Sequence, residues 1–239
     1  MPRTKPILFS GPMIRALLDG RKTQTRRVLK PQPPKDEYGD DYITRLNGPE
    51  WYEPVVVDKY GDEVPGKPIW GVHDELGEWG APVPYMPGDL LWVREAWSDE
   101  LLSPGEVYYY ATALEDGLLA DEVAEIRWRP SIHMPRWASR ITLEVTAVRV
   151  QRLQEISQED ARAEGVATEE WEDWRENVTS IAMPEGSYIE NERDLFRDLW
   201  DSINAKRGYG WDQNPWVIAL TFVVHQMNID EFLAQREAA

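Results

Sequence analysis

The chain has 239 residues, no cysteine, 12 tryptophans and a formal net charge of -17. It is long enough to bury a real core, and the lack of cysteine excludes disulfides, thiolate catalysis and cysteine-bound zinc. No apolar run approaches the ~18 residues of a membrane span, and the acidic excess argues against tight non-specific binding of duplex DNA. Met1-Pro2-Arg3-Thr4-Lys5-Pro6 lacks the apolar segment of an export signal, so a cytoplasmic setting is expected. His73, His133 and His225 have no metal-ligand spacing, and neither a metal nor a cofactor is expected.

In chain order, Ile7-Leu8-Phe9 forms a short apolar strand. Ser10 stands as an N-cap, Pro12 falls in the first turn, and Met13, Ile14, Ala16, Leu17 and Leu18 give a short helix with an apolar face. Gly20 fits the position that ends it. Here the charge reverses: Arg15, Arg21, Lys22, Arg26, Arg27 and Lys30 stand against Asp19 alone. A local positive patch on an acidic body suits an anionic or polar ligand. The patch also sets a threonine hydroxyl beside a lysine amine, one way to activate a weak nucleophile. With Thr23 to Val28 as a strand, Thr25 and Arg27 share a face. Lys22 joins Thr25 only if the preceding turn redirects it. Taken by themselves, Arg26 and Lys30 read as solvated cations.

Residues 31–87, rich in proline, glycine and acid, read as an insertion, with Val55-Val56-Val57 and the turn after it forming a hairpin. The core resumes at the turn Pro87-Gly88-Asp89, and the strand from Leu90 to Glu95 puts Trp92 and Arg94 on one face. The segment from Arg127 to Arg140 carries Arg127, Arg129, Arg136, Arg140 and His133, with Trp128 and Trp137 and no acid. Arginines beside aromatics are what base stacking and phosphate contact require, although either tryptophan alone is better read as core. Ile141 to Leu153 is a long strand whose apolar phase switches near Thr146, which predicts a bulge there.

Ser157-Gln158-Glu159-Asp160 resembles a capping box that opens a helix ending at Glu164 and Gly165. A carboxylate at the negative end of a helix is disfavoured as an anion unless a cation compensates, which suits proton transfer. From position alone, an exposed glutamate without a chemical role is the stronger reading. Residues 168–190 form a second expected insertion. Asn191 caps a helix with Leu195, Phe196, Leu199, Trp200 and Ile203 on one face. Asn214-Pro215 shapes the entry to a buried strand from Trp216 to Val224, and a terminal helix or tail follows from Met227. The pattern predicts a single elaborated domain over 1–239. Its class is α+β, an antiparallel, partly closed β-barrel with short helices at its mouth.

Gly20-Arg21-Lys22-Thr23-Gln24-Thr25-Arg26-Arg27 resembles the signature of ASCH domains, small β-barrels of the PUA-like superfamily, with the pattern Gly-x-Lys-x-x-Glu-x-Arg. Gly20, Lys22 and Arg27 match, and Thr25 replaces the glutamate. The N4-acetylcytidine amidohydrolases of this family carry Lys-Thr-x-Thr-x-Arg, as this chain does. Pro87-Gly88-Asp89 is similar to the strand entry of the superfamily, and the wider pattern resembles larger phage and prophage ASCH-like proteins. The resemblance implies catalytic roles for Lys22, Thr25 and Glu164. It implies a cleft arginine in Arg27. Arg26, Trp92 and Arg94 are further expected substrate-binding residues, read from this chain's own pattern.

The activity so implied is removal of an N-acyl group from a modified pyrimidine nucleoside, with N4-acetylcytidine as lead substrate. The partner is then a modified nucleoside or single-stranded RNA. The alternative is a module that binds RNA or a modified base without reaction, with Trp92, Trp128 or Trp216 stacking on a base. A ribonuclease ranks third.

Overall fold

The computed structural model describes residues 3–35, 43–99, 106–166 and 191–238. The expected insertion at 168–190 lies outside them. The centre is a five-stranded sheet of β1 (Thr4–Leu8), β2 (Gln24–Val28), β8 (Leu90–Arg94), β11 (Thr142–Arg152) and β12 (Trp216–His225), in the order β1-β8-β11-β12-β2. All neighbours are antiparallel except β1 and β8, which run parallel. The class is mixed α+β, as expected, but the sheet is not wholly antiparallel and no closed barrel forms among the described residues. The edge strands β1 and β2 share no ladder. The Arg27 side chain spans the gap instead, donating from Nη2 to the Leu8 carbonyl at 2.8 Å.

One face of this sheet carries the main core. Ile7, Leu91, Val93, Leu143, Val145, Ile218, Leu220 and Phe222 pack there against Ile14 and Leu17 of helix α1 (Gly11–Leu18). The bulge expected near Thr146 is present, with the β11–β12 register slipping between Val145 and Ala147. It has a packing reason. Leu143 and Val145 before the slip, and Val148 and Val150 after it, all meet the same core. Without the extra residue the second pair would point away.

Residues 43–87 form two further sheets. One is β3 (Asn47–Tyr52), β6 (Ile69–His73) and β7 (Gly80–Pro82), and the other is the hairpin of β4 (Val55–Val57) and β5 (Glu63–Pro65). The hairpin turn is held by Asp58, whose Oδ1 accepts from the Tyr60 and Asp62 amides. This segment is no loose appendage, because Val72, Ala81 and Val83 are buried in the main core. A short pair, β9 (Trp97–Ser98) and β10 (Tyr108–Tyr109), and helix α2 (Ala120–Glu125) lead to the arginine-rich segment.

The opposite face of the sheet is covered by helices. α3 (Gln158–Ala163) and α4 (Glu192–Asn204) enclose Leu153, Ile156, Phe196, Trp200 and Val217, while α5 (Ile229–Ala238) sets Ile229 and Phe232 on Leu90 and Trp92. Asn191 caps α4 by accepting from the Arg193 and Asp194 amides. Its apolar face ends at Trp200, since Ile203 is exposed. Among the described residues no helix is long and apolar enough to cross a membrane.

Candidate functional site

The basic motif lies where α1 hands over to β2. Gly20 takes a left-handed φ of 73°, reversing the chain after the helix. The Lys22 amide then donates to the Ala16 carbonyl, and the Thr23 amide donates to Ala163 at the end of α3. These two bonds turn Lys22 inward before the strand starts, towards Glu164 and not onto the Thr25 hydroxyl. Lys22 has no exposed surface. Its Nζ donates to Glu164 Oε2 at 2.7 Å and to the Glu164 carbonyl at 2.8 Å.

Glu164 is the C-cap of α3, and Gly165 follows with a φ of 87°. The glycine is required twice over. An added Cβ would stand 2.8 Å from Ala16 Cβ and 2.9 Å from Lys22 Cβ, so only a bare backbone lets α3 meet the α1 turn. The carboxylate is buried, not exposed, and two cations compensate the helix end. Lys22 takes Oε2, and Arg26 Nη1 takes Oε1 at 3.0 Å.

Arg26 is therefore no solvated cation. It is buried on the α3–α4 side of β2, with Nη2 on Asp160 Oδ2 at 2.7 Å and its guanidinium 5.8 Å from the Phe196 ring. Its buried Nε has no hydrogen-bond partner among the described residues. Asp160 explains why the capping box is only half made. Ser157 Oγ accepts from the Asp160 amide, but the Asp160 carboxylate turns away to Arg26, Gln24 and Arg149. Burial alone would raise its pKa; the Gln24 and Arg149 hydrogen bonds and the nearby arginines hold it below the usual aspartate value.

Thr25 and Arg27 share the other face of β2, opposite Leu220 and Ile218, as the strand periodicity predicted. Arg27 Nη1 donates to Thr25 Oγ1 at 3.3 Å. Phe9 links the two halves: the Lys22 ammonium lies 5.5 Å and the Arg27 guanidinium 5.0 Å from its ring centre. Among the described residues no hydrogen bond runs directly from Lys22 Nζ to Thr25 Oγ1. Burial pushes the Lys22 pKa below its ordinary 10.5; Glu164 opposes this, while Arg27 and Arg26 add to it. Lys22 is thus nearer to a neutral amine than an exposed lysine is.

Trp92 and Arg94 are not brought to this group. They sit on the opposite face of β8, where Arg94 stacks 4.7 Å over Trp92 and donates to the Met134 carbonyl, and Trp92 is buried under α5. Trp216 is also core, with Arg152 stacked 4.6 Å over its ring. Asp89 of the strand-entry turn is buried and pairs with Arg3 at 2.7 Å, a structural clasp.

Phe9 and Asp160 were missed as members of the site. Phe9 carries no polar signal, and in the sequence Asp160 reads as a helix cap. Glu95 is a further buried acid, apart from this group. It follows Leu91 and Val93 in the inward alternation of β8 and is buried in a two-pronged pair with Arg140 at 2.9 and 3.0 Å. Burial raises its pKa, against the opposing effect of Arg140. Among the described residues no group of three or more histidine, aspartate or glutamate side chains is arranged to hold a metal. Set beside known proteins, the chain matches no protein-family model, no curated protein and no solved structure.

Proposed function

We propose that this protein is an ASCH-type, PUA-like domain that hydrolyses the N-acyl group of a modified pyrimidine nucleoside, with N4-acetylcytidine as lead substrate. The reading begins from the resemblance of Gly20 to Arg27 to that family. The observation that supports it most is the wholly buried Lys22–Glu164 pair, joined at 2.7 Å and set three residues before a threonine already held by an arginine.

A desolvated ion pair can exchange its charge for a neutral amine and a neutral acid by moving one proton. In the proposed reaction the Lys22 Nζ proton passes to Glu164 Oε2, and the neutral amine accepts the Thr25 hydroxyl proton. Thr25 Oγ bonds to the acyl carbon, and Arg27 stabilises the oxyanion that forms. Breaking the C–N bond leaves an acyl ester on Thr25, and the leaving exocyclic amine takes a proton held by Lys22 and Glu164. Water then cleaves the ester, restoring Thr25 and releasing the carboxylic acid. The reaction requires Thr25 Oγ1 to come within hydrogen-bonding reach of Lys22 Nζ, which pairs with Glu164 in the structure.

The test is cytidine release from N4-acetylcytidine, followed by chromatography. Lys22→Ala, Thr25→Ala and Glu164→Ala are expected to abolish it. A folded protein that releases nothing overturns the reading. The second reading is a module that binds a modified base without reaction. It is favoured by the commitment of Lys22 to Glu164 rather than to Thr25. Affinity for the nucleoside without chemical change is its signature.

A further inference from the structure

The arginine-rich segment splits in two. Arg136 is tied to Asp230 at 2.7 Å and to Thr4, and Arg140 to Glu95, so both are structural. Arg127 and Arg129, with Trp128, Pro130 and His133, line a cavity of about 470 Å³. None of these residues belongs to the Lys22–Glu164 group. The volume falls in the range of small-molecule sites.

The cavity wall is fixed in advance. The Arg129 backbone pairs with Trp97 in both directions, at 2.8 and 3.2 Å. The Arg129 guanidinium stacks 4.9 Å over the Trp97 ring and meets Asp99 at 2.5 Å. The Trp128 indole donates to the Val123 carbonyl at 2.9 Å, and Tyr110 abuts the ring edge-on at 5.1 Å. Trp128 is thus held by contacts at its N–H and with Tyr110. The wall unites two arginines, an imidazole and a tryptophan on a chain of net charge -17; Asp99 engages one arginine, and among the described residues no acidic side chain lines the cavity itself. Cations flanking an indole match a ligand that carries both a phosphate and an aromatic base.

We infer that this cavity is a nucleotide-binding site, with the phosphate on Arg127 and Arg129 and the base against Trp128. The ligand is a nucleotide, either free or within a single strand. The site stands apart from the hydrolase reading and does not depend on it.

The test is fluorescence anisotropy of the full chain with a labelled oligouridylate at low ionic strength, competed with uridine monophosphate and with inorganic triphosphate. Binding is expected. Weakening of about tenfold or more is expected for the double variant Arg127→Gln, Arg129→Gln and for Trp128→Leu. The double variant with lysine at both positions retains most of the affinity, which separates lost charge from lost fold. Competition by uridine monophosphate at similar concentration identifies a free nucleotide as the ligand, and a large preference for the oligomer identifies a single strand. Three outcomes overturn the inference: no binding of either nucleotide probe, undiminished binding in variants that melt like the parent, or triphosphate competing as well as uridine monophosphate.

Discussion

At the scale of single residues, Lys22 bears on both stability and the proposed chemistry. A buried ammonium persists only when paired, and removing one partner of a buried pair leaves the other uncompensated. Lys22→Met is therefore expected to cost about 3–5 kcal/mol of stability as well as all turnover, measured by denaturant unfolding and cytidine release. Lys22→Arg separates the two effects: it keeps a cation for Glu164 but cannot act as a base. The pH dependence follows from the direction of the Lys22 shift. The proposed reaction starts from a pair that holds one proton, so the rate is expected to fall as pH strips that proton from Lys22. Because burial lowers the pKa, that fall is centred below the ordinary lysine value of 10.5. A rate that keeps rising through that range would contradict proton transfer from Lys22 to Glu164. The motif marks Lys22, Thr25 and Arg27 in the sequence, and strand periodicity sets Thr25 and Arg27, but not Lys22, on one face. Arg26 was misjudged as solvated, since its partners Asp160 and Glu164 lie more than a hundred residues away in the chain.

At the scale of elements, the site depends on how closely α3 meets the α1–β2 turn. Gly165→Ala forces a left-handed alanine and a Cβ into contact with Ala16 and Lys22. A loss of about 1–3 kcal/mol is expected, with a larger fall in turnover than Gly20→Ala, whose Cβ would meet nothing within 4 Å. α3 is tied to α4 by Glu192, which accepts from Gln158 and from Arg162 at 2.6 Å. Those bonds hold its carboxyl at about 2, below the ordinary 4.5. A depressed carboxyl contributes stability that is present above its unfolded pKa and lost as pH falls through the folded one. The stability difference between the parent and Glu192→Gln is thus expected to be constant above about pH 5 and to vanish towards pH 2. A difference that persists at the acid end would contradict this. The bulge at Thr146, the Asn191 cap and the glycine ends of α1 and α3 were all readable, because each is set by local chemistry. At the entry to β12, Asn214 takes a φ of 42° and its Oδ1 accepts from the Gln154 amide, the shaping role its sequence position suggested.

At the scale of the whole molecule, topology was the least legible feature. Nothing local in Thr4–Leu8 says that it runs parallel to Leu90–Arg94, or that Trp92 and Arg94 point away from Thr25. Composition made residues 31–87 read as an insertion, yet Val72, Ala81 and Val83 complete the main core. Replacing residues 43–84 by a short flexible linker is accordingly expected to abolish cooperative unfolding, measured by calorimetry. A shortened chain that still melts sharply would make the segment a true appendage. The central claim is that one buried lysine–glutamate pair drives Thr25 to attack an acyl group. The most direct measurement is mass spectrometry of the protein quenched in acid after mixing with N4-acetylcytidine, with cytidine release assayed alongside. Cytidine release is expected together with an acetyl ester on Thr25 that is missing in Thr25→Ala and in Lys22→Arg. A folded protein that releases no cytidine and carries no acyl group would contradict it.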